Sequence, residues 1–245
     1  MADFALLSNV LKFNDALSTL QGASEQMMLV YGPPGMGKTT TAVHSYVHHN
    51  GVLLRCITGL TQKSLLQMLL RELGQSPKAT TNAEMLLQSI DLLAQNPRPL
   101  FIDEADRLFE SKRLFESVRD LHDGAKVPVV MLGASSAAGF VGVDQHLRRY
   151  PQMADRIAHW VQFTPATKED FVALQNLYAP KVELSPELQA RILQESGGNI
   201  RRIRVGLKNC VFLARRKKVT ALTERDFGKA EIVQIGHLKA LPKAQ

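Results

Sequence analysis

The sequence predicts an α/β fold, in which helices cover both faces of a parallel sheet, followed by a smaller all-helical domain. Three observations support this. Residues 32–39 read Gly-Pro-Pro-Gly-Met-Gly-Lys-Thr, a complete G-x-x-x-x-G-K-[ST] loop between an apolar run and a segment suited to open a helix. Short apolar runs then alternate with amphipathic segments. After Pro165 the pattern is wholly helical.

The expected elements follow each other closely along the chain. An amphipathic helix is indicated by the 3-4-3 spacing of Val10, Phe13, Leu17 and Leu20. The apolar runs that predict strands are 27–31, 51–57, 100–102, 127–132 and 161–163. Helices are expected from 39, over 61–73, 84–95, 112–122 and 168–178, from 186, after 199 and after 223. We therefore expect an α/β domain with an N-terminal helix at 1–164, a helical lid at 165–236 and a tail at 237–245.

The loop at 32–39 predicts that the chain binds a nucleoside triphosphate. Its glycines let the backbone wrap around phosphate oxygens, and N–H groups at the helix start carry partial positive charge. Lys38 adds a full charge at the β- and γ-phosphates, and the Thr39 hydroxyl is placed to ligate Mg²⁺. The expected ATP-binding residues are Gly32, Pro33, Gly35, Met36, Gly37, Lys38, Thr39, Thr40 and Asp103.

Two carboxylates end the apolar run at 100–102, as in a Walker-B segment. Asp103 suits Mg²⁺, directly or through water, so the expected metal-binding residues are Thr39 and Asp103. Glu104 can polarise the water that attacks the γ-phosphate. The alternative is a helix cap with an exposed acid, which the intact phosphate loop disfavours.

Ser135 follows the 127–132 strand and is the candidate to orient the attacking water. The alternative is a turn of small residues. On the lid, Arg201 follows Gly197-Gly198-Asn199 and opens a helix. We expect its guanidinium to lie over the nucleotide, so that the lid senses the γ-phosphate.

Three arginines precede the last expected strand: Arg148, Arg149 and Arg156. An arginine there can reach a neighbouring subunit's γ-phosphate as an arginine finger, which contributes about 10³–10⁵ in rate. Arg156 is the first choice because it is nearest to the strand. The alternative is an ion pair with Asp155 or another surface acid.

Charge is unevenly distributed along the chain, which has a net charge of +7. Residues 191–245 hold thirteen Lys or Arg against four Asp or Glu, whereas residues 1–190 hold seventeen against nineteen. This polarity indicates a polyanionic partner such as nucleic acid, or else a solvated basic surface. We expect no membrane span or signal peptide, and two cysteines in unlike contexts fit a reducing cytoplasm.

In these motifs the chain resembles AAA+ ATPases, and within them the DNA-transposition regulators typified by the phage Mu B protein, TnsC and TniB. The residues that carry the resemblance are Val30 to Thr41, Phe101 to Leu108, Leu121-His122-Asp123 with Val127 to Gly133, and Gly197 to Arg202. The resemblance implies an AAA+ P-loop ATPase fold with a small all-α lid. It also implies a bacterial or phage-encoded cytoplasmic protein.

The same resemblance implies a function. Such proteins form ATP-dependent homo-oligomers, often filaments, on double-stranded DNA, and they recruit and stimulate a transposase, in some cases with a target-selection protein. The loosely matching DNA-binding positions are Thr61, Lys63, Arg71 and Lys78. Three alternatives stay open: a helicase loader acting in DNA replication, a signalling ATPase that does not bind DNA, and a small-molecule kinase.

Overall fold

The structure is a computed structural model that describes residues 4–20, 26–76, 81–137 and 140–234. Its helices are α1 (Ser8–Leu20), α2 (Lys38–His48), α3 (Gln62–Glu72), α4 (Asn82–Gln95), α5 (Lys112–Ala125), α6 (Val143–Arg148), α7 (Pro151–Ala154), α8 (Lys168–Tyr178), α9 (Pro186–Ser196) and α10 (Ile200–Lys217). Its strands are β1 (Met27–Gly32), β2 (Val52–Arg55), β3 (Leu100–Asp103), β4 (Val129–Ala134), β5 (Ile157–Gln162), β6 (Glu183–Leu184) and β7 (Ala221–Leu222). Short 3₁₀ helices cover Ala105–Glu110 and Glu224–Asp226.

In the described part of the chain, five parallel strands form one sheet in the order β2-β3-β4-β1-β5. These strands correspond to the apolar runs in the sequence. Parallel strands that are covered on both faces are apolar at nearly every position, which is why such runs predicted them. All residues of β3 and all but one of β1 are buried. The predicted α/β class is therefore confirmed. Because the strands are parallel, their carboxyl ends meet at one edge.

Helix α5 shows how sequence pattern covers the sheet. Leu114, Val118, Leu121 and Ala125 repeat at a spacing of 4-3-4 and are buried in the main apolar core. The opposite face of α5 carries charged residues, as expected for a helix half in contact with a sheet. A capping box at Thr61, in which Thr61 and Ser64 exchange hydrogen bonds, starts α3 at the predicted place.

The chain divides into two compact units. The first comprises the described residues of Lys12–Pro33 and Lys38–Phe163, and the second those of Met1–Leu11, Pro34–Gly37 and Thr164–Gln245. Within the second unit, α8, α9 and α10 surround a core that includes Leu188, Ile203 and Leu207. Three of the four predicted lid helices are present, namely α8, α9 and α10. The all-helical description was incomplete, however, because β6 and β7 pair in parallel.

Two further details of the second unit differ from the sequence-based expectation. A 3₁₀ turn follows Thr223 in place of an α-helix, since Gly228 at φ +53° closes the segment after a few residues. Residues 4–11 belong to this unit, although the sequence assigned them to the α/β domain. Leu7 and Val10 are buried in the core of the second unit. Periodicity in the sequence identifies an apolar helix face, but it does not indicate which of the two cores that face packs against.

Hydrogen bonds fix the N-terminal segment within the second unit. The Ser8 N–H donates to Asp170 Oδ1 at 2.7 Å, and the Ser8 hydroxyl donates to Asp170 Oδ2. The Asn9 amide donates to the Thr164 carbonyl at 2.8 Å, and the Thr164 N–H donates back to Asn9 Oδ1. None of the helices in the described ranges is long and apolar enough to cross a membrane.

Candidate nucleotide-binding site

The phosphate loop joins the end of β1 to the start of α2, as its motif requires. Gly35 and Gly37 have φ of +82° and +89°, a left-handed conformation that glycine adopts without steric cost. Gly32 is required for a different reason: a Cβ there would lie 2.4 Å from the Phe163 carbonyl oxygen. Glycines therefore let the loop turn tightly and let β1 end close to the chain after β5.

Lys38 bends back over this loop. Its ammonium donates to the Gly32 carbonyl at 2.7 Å and to the Pro33 carbonyl at 3.0 Å. Both acceptors are neutral, so a phosphate oxygen would be a stronger, charge-assisted acceptor for the same group. The start of α2 adds N–H groups that carry partial positive charge next to this ammonium. The arrangement suits a polyphosphate.

The Thr39 hydroxyl donates to Asp103, at 3.0 Å from Oδ2 and 3.2 Å from Oδ1. Asp103 is the last residue of β3 and is only 4% exposed. A hydroxyl and a buried carboxylate in contact form the hard oxygen donor set that Mg²⁺ prefers, with phosphate oxygens and water completing the shell. The described residues contain no group of three or more His, Cys, Asp or Glu able to hold a metal alone.

Glu104 follows Asp103 in a left-handed conformation, at φ +56° and ψ +40°. This conformation is uncommon for a residue with a Cβ and costs on the order of 1 kcal/mol. The Glu104 carboxylate lies 3.8 Å from the Arg55 guanidinium at the end of β2, and both side chains are substantially exposed. The turn therefore directs the carboxylate away from the buried Asp103 and into solvent. Nothing in the sequence pattern indicated Arg55 at this site.

Side chains that the sequence pattern did not indicate form hydrogen bonds at and just after the end of β4. Asp106 Oδ2 accepts from the Ala134 N–H at 2.9 Å, and burial raises the pKa of Asp106. Ser136 has a structural role, because its hydroxyl donates to Asp144 and accepts from the Gly142 N–H. The Ser135 N–H donates to the Gly32 carbonyl at 3.1 Å, which places Ser135 beside the phosphate loop. Its role towards water stays a prediction.

The three candidate arginines have different surroundings. Arg156 forms a two-bond ion pair with Asp123, at 3.0 and 3.1 Å, and donates to the Gln152 carbonyl at 2.7 Å. The structure thus contains the ion-pair alternative, and the partner is Asp123, an acid other than Asp155. The Arg148 guanidinium lies 5.2 Å from the centre of the Trp160 ring. Arg149 is exposed and, among the described residues, forms no ion pair.

In the second unit, the start of α10 contacts the central residues of the phosphate loop. The Asn199 amide donates to the Pro34 carbonyl at 2.8 Å, and the Arg201 N–H donates to the Gly35 carbonyl at 3.2 Å. A Cβ at Gly35 would lie 2.5 Å from the Asn199 amide. The approach of the exposed Arg201 guanidinium to a nucleotide stays a prediction.

The predicted DNA-binding positions divide into two groups. Lys63 and Arg71 are exposed on α3. The Thr61 hydroxyl is already used in the capping box of α3, which gives that residue a structural role. Lys78 lies outside the described residues.

Comparisons with known proteins agree with this geometry. Residues 21–140 match the family model described as an AAA domain. Two solved variants of RuvB from Thermotoga maritima are similar in structure. One has a TM-score of 0.57 at 20% identity, covering 89% of this chain and 67% of that one. The other has a TM-score of 0.59 at 18% identity, covering 91% and 67%.

The chain has an AAA+ P-loop fold. This confirms the fold class predicted from the phosphate loop and the alternating strands. At sequence identities of 18–20%, these similarities show the fold and nothing further. Among curated proteins, none matches the sequence significantly. The narrower resemblance to transposition regulators therefore stays a proposal.

Proposed function

We propose that the chain is an ATPase that binds MgATP at the carboxyl edge of its sheet and hydrolyses it. The observation that carries this proposal is the Thr39–Asp103 contact beside the bent-back Lys38. Three residues from two segments, the start of α2 and the end of β3, meet where a phosphate loop holds its ligand. A structural turn would not need a buried carboxylate facing a hydroxyl at the start of a helix.

Each group has a distinct task in this proposal. Lys38 and the loop N–H groups bind the β- and γ-phosphates. Thr39 and Asp103 hold Mg²⁺, which neutralises phosphate charge when bound. Glu104 accepts a proton from the attacking water, and Ser135 orients that water. Water adds to the γ-phosphorus, the bond to ADP breaks, and the products are ADP and inorganic phosphate.

We further propose that the active protein is a homo-oligomer with nucleotide at subunit boundaries. Arg149 is now the first choice for the arginine that reaches a neighbour's γ-phosphate. Arg156 would have to break its ion pair with Asp123, and Arg148 would have to leave the Trp160 ring. Arg201 would contact the nucleotide from the lid, a role supported by its backbone bond to Gly35.

The partners that we propose are double-stranded DNA and a transposase, with oligomerisation on DNA when ATP is bound. Two features support the DNA part: the excess positive charge of residues 191–245 and the exposed Lys63 and Arg71 on α3. The transposase part is supported by the sequence resemblance alone.

Three substitutions test the ATPase proposal. Lys38→Ala is expected to lose ATP binding, measured with a fluorescent ATP analogue. Glu104→Gln is expected to keep binding while phosphate release falls at least 100-fold, since only the proton acceptor is lost. Glu110→Gln removes a nearby exposed acid and serves as the matched control. Loss of ATP binding in Glu104→Gln, or normal turnover in that variant, would overturn the assigned roles.

A second experiment separates the partner classes. The protein is incubated with a non-hydrolysable ATP analogue and with labelled duplex or single-stranded DNA, at low and high salt, and is then imaged by electron microscopy. Filaments on duplex DNA that weaken as salt rises support the proposal. Preference for single strands favours a helicase loader. No DNA binding and no DNA-stimulated ATPase activity favours a signalling ATPase, and acceptor-dependent phosphate transfer favours a kinase.

A further inference from the structure

A groove opens on the second unit between the segment after α8 and the last turns of α10. Its volume is about 420 Å³, within the range of roughly 300–1,000 Å³ that is common for ligand pockets. Val182, Val211, Ala214 and Val219 supply apolar surface to its lining. Val219 is 43% exposed, so part of this apolar surface faces solvent. The apolar lining of this groove has no part in the function proposed above.

The same groove is lined by Lys181, Arg215 and Lys218, all of them exposed. Among the described residues, none of the three forms an ion pair. The acids of this unit that do form ion pairs lie with other cations: Glu195 and Glu224 with Arg191, Asp226 with Lys217, and Glu231 with Arg202. Three cations without an ion-pair partner among the described residues thus surround an apolar floor.

Stabilisation of the helix dipole explains only part of this cluster. Arg215 lies in the last turn of α10 and Lys218 follows it directly, where cations are favourable. That effect is confined to the last turn of a helix and does not account for Lys181, which belongs to the segment after α8. Two separate segments therefore direct cations towards the same apolar surface.

We propose that this groove binds a short amphipathic peptide segment of a partner protein, in which acidic residues flank apolar ones. Apolar side chains of the segment cover the valines, and its carboxylates meet Lys181, Arg215 and Lys218. Charge complementarity requires the partner segment to be negatively charged. The apolar floor favours a peptide over nucleic acid, because phosphate groups would make no favourable apolar contacts with Val211 or Val219. The inference does not depend on ATP hydrolysis.

The first step of the test is a selection with the whole 245-residue chain. A phage-displayed library of random 12-residue peptides is selected on the immobilised protein. The proposal expects enriched sequences that combine Asp or Glu with Leu, Ile, Phe or Met. Enrichment of sequences without acids or without apolar residues, or no enrichment at all, would overturn it.

The second step locates the binding site. The most enriched peptide is labelled with fluorescein, and its Kd is measured by anisotropy. Arg215→Glu/Lys218→Glu should weaken binding about tenfold, because two exposed attractions become repulsions. Lys208→Glu/Lys229→Glu changes the charge of this unit equally at exposed sites outside the groove lining and should change the Kd less than twofold. If both double variants weakened peptide binding equally, the effect would come from the overall charge of the unit and not from the groove, and the proposal would be refuted.

Two further measurements complete the test. Val219→Ser removes apolar surface at an exposed position, so it should leave folding intact and weaken the peptide about threefold. An unchanged Kd would contradict the proposed apolar floor, even if the charge variants failed to fold. A labelled 30-base-pair duplex is titrated in parallel. If Arg215→Glu/Lys218→Glu weakens duplex binding more than the control double variant does, the groove is a nucleic-acid surface and the peptide proposal fails.

Discussion

The ion pair between Arg156 and Asp123 can be tested quantitatively, because two parallel hydrogen bonds join the groups at 3.0 and 3.1 Å. The side chains are 31% and 37% exposed, so solvent screening must be allowed for. Fully exposed pairs contribute about 0.2–1 kcal/mol, and two-bond geometry with partial burial raises this figure. We therefore expect a coupling free energy of about 1 kcal/mol.

The assay is a double-mutant cycle by urea denaturation, followed by circular dichroism. Arg156→Ala and Asp123→Ala should each destabilise the protein by about 1–2 kcal/mol, and the double variant by less than their sum. ATP turnover, measured well below the melting temperature, should be similar in both single variants. A fall of about 1,000-fold in Arg156→Ala alone would refute this reasoning and identify Arg156 as the arginine finger. A coupling energy near zero would show that the pair adds nothing to stability.

Three other perturbations have clear expected outcomes. Gly32→Ala should cost about 2–3 kcal/mol in urea unfolding because its Cβ would meet the Phe163 carbonyl oxygen at 2.4 Å; an unchanged midpoint would contradict this. Burial raises the pKa of Asp106, so wild-type stability falls as pH rises from about 4 through the folded-state value. The stability of Asp106→Asn relative to wild type should therefore grow with pH, and a constant difference would refute the sign. Burial raises the pKa of Cys56 and Cys210 to about 12, so iodoacetamide at pH 8 should label them only after unfolding; rapid native labelling would contradict this.

Much of the fold could be predicted because the strongest signals are local. The phosphate loop, the apolar runs of β1 to β4 and the capping residues of α3 and α9 are each contained in a few consecutive residues. Helices α6 and α7 were missed, since they hold only six and four residues and show less than two turns of periodicity. The two-residue strands β6 and β7 are too short for any alternation to be visible.

The parts of the site that escaped prediction depend on residues far apart in sequence. Asp123 is 33 positions from Arg156, and both lie in polar stretches with several possible partners. Asp106 reaches the backbone of Ala134 across the edge of the sheet. Sequence spacing can nominate a charged residue as a candidate, but its partner depends on which strand ends are adjacent, and that follows only from the strand order.

Backbone conformation adds a constraint at the candidate catalytic position. Asp103 and Glu104 are consecutive acids, yet the first is buried against Thr39 and the second faces solvent near Arg55. In an extended strand, neighbouring side chains alternate between the two faces of the sheet. The left-handed turn at Glu104 ends the strand abruptly and gives the two consecutive carboxylates different surroundings at the carboxyl edge. The conformational cost is local, and the benefit under the proposed mechanism is a metal ligand and a proton acceptor on adjacent residues.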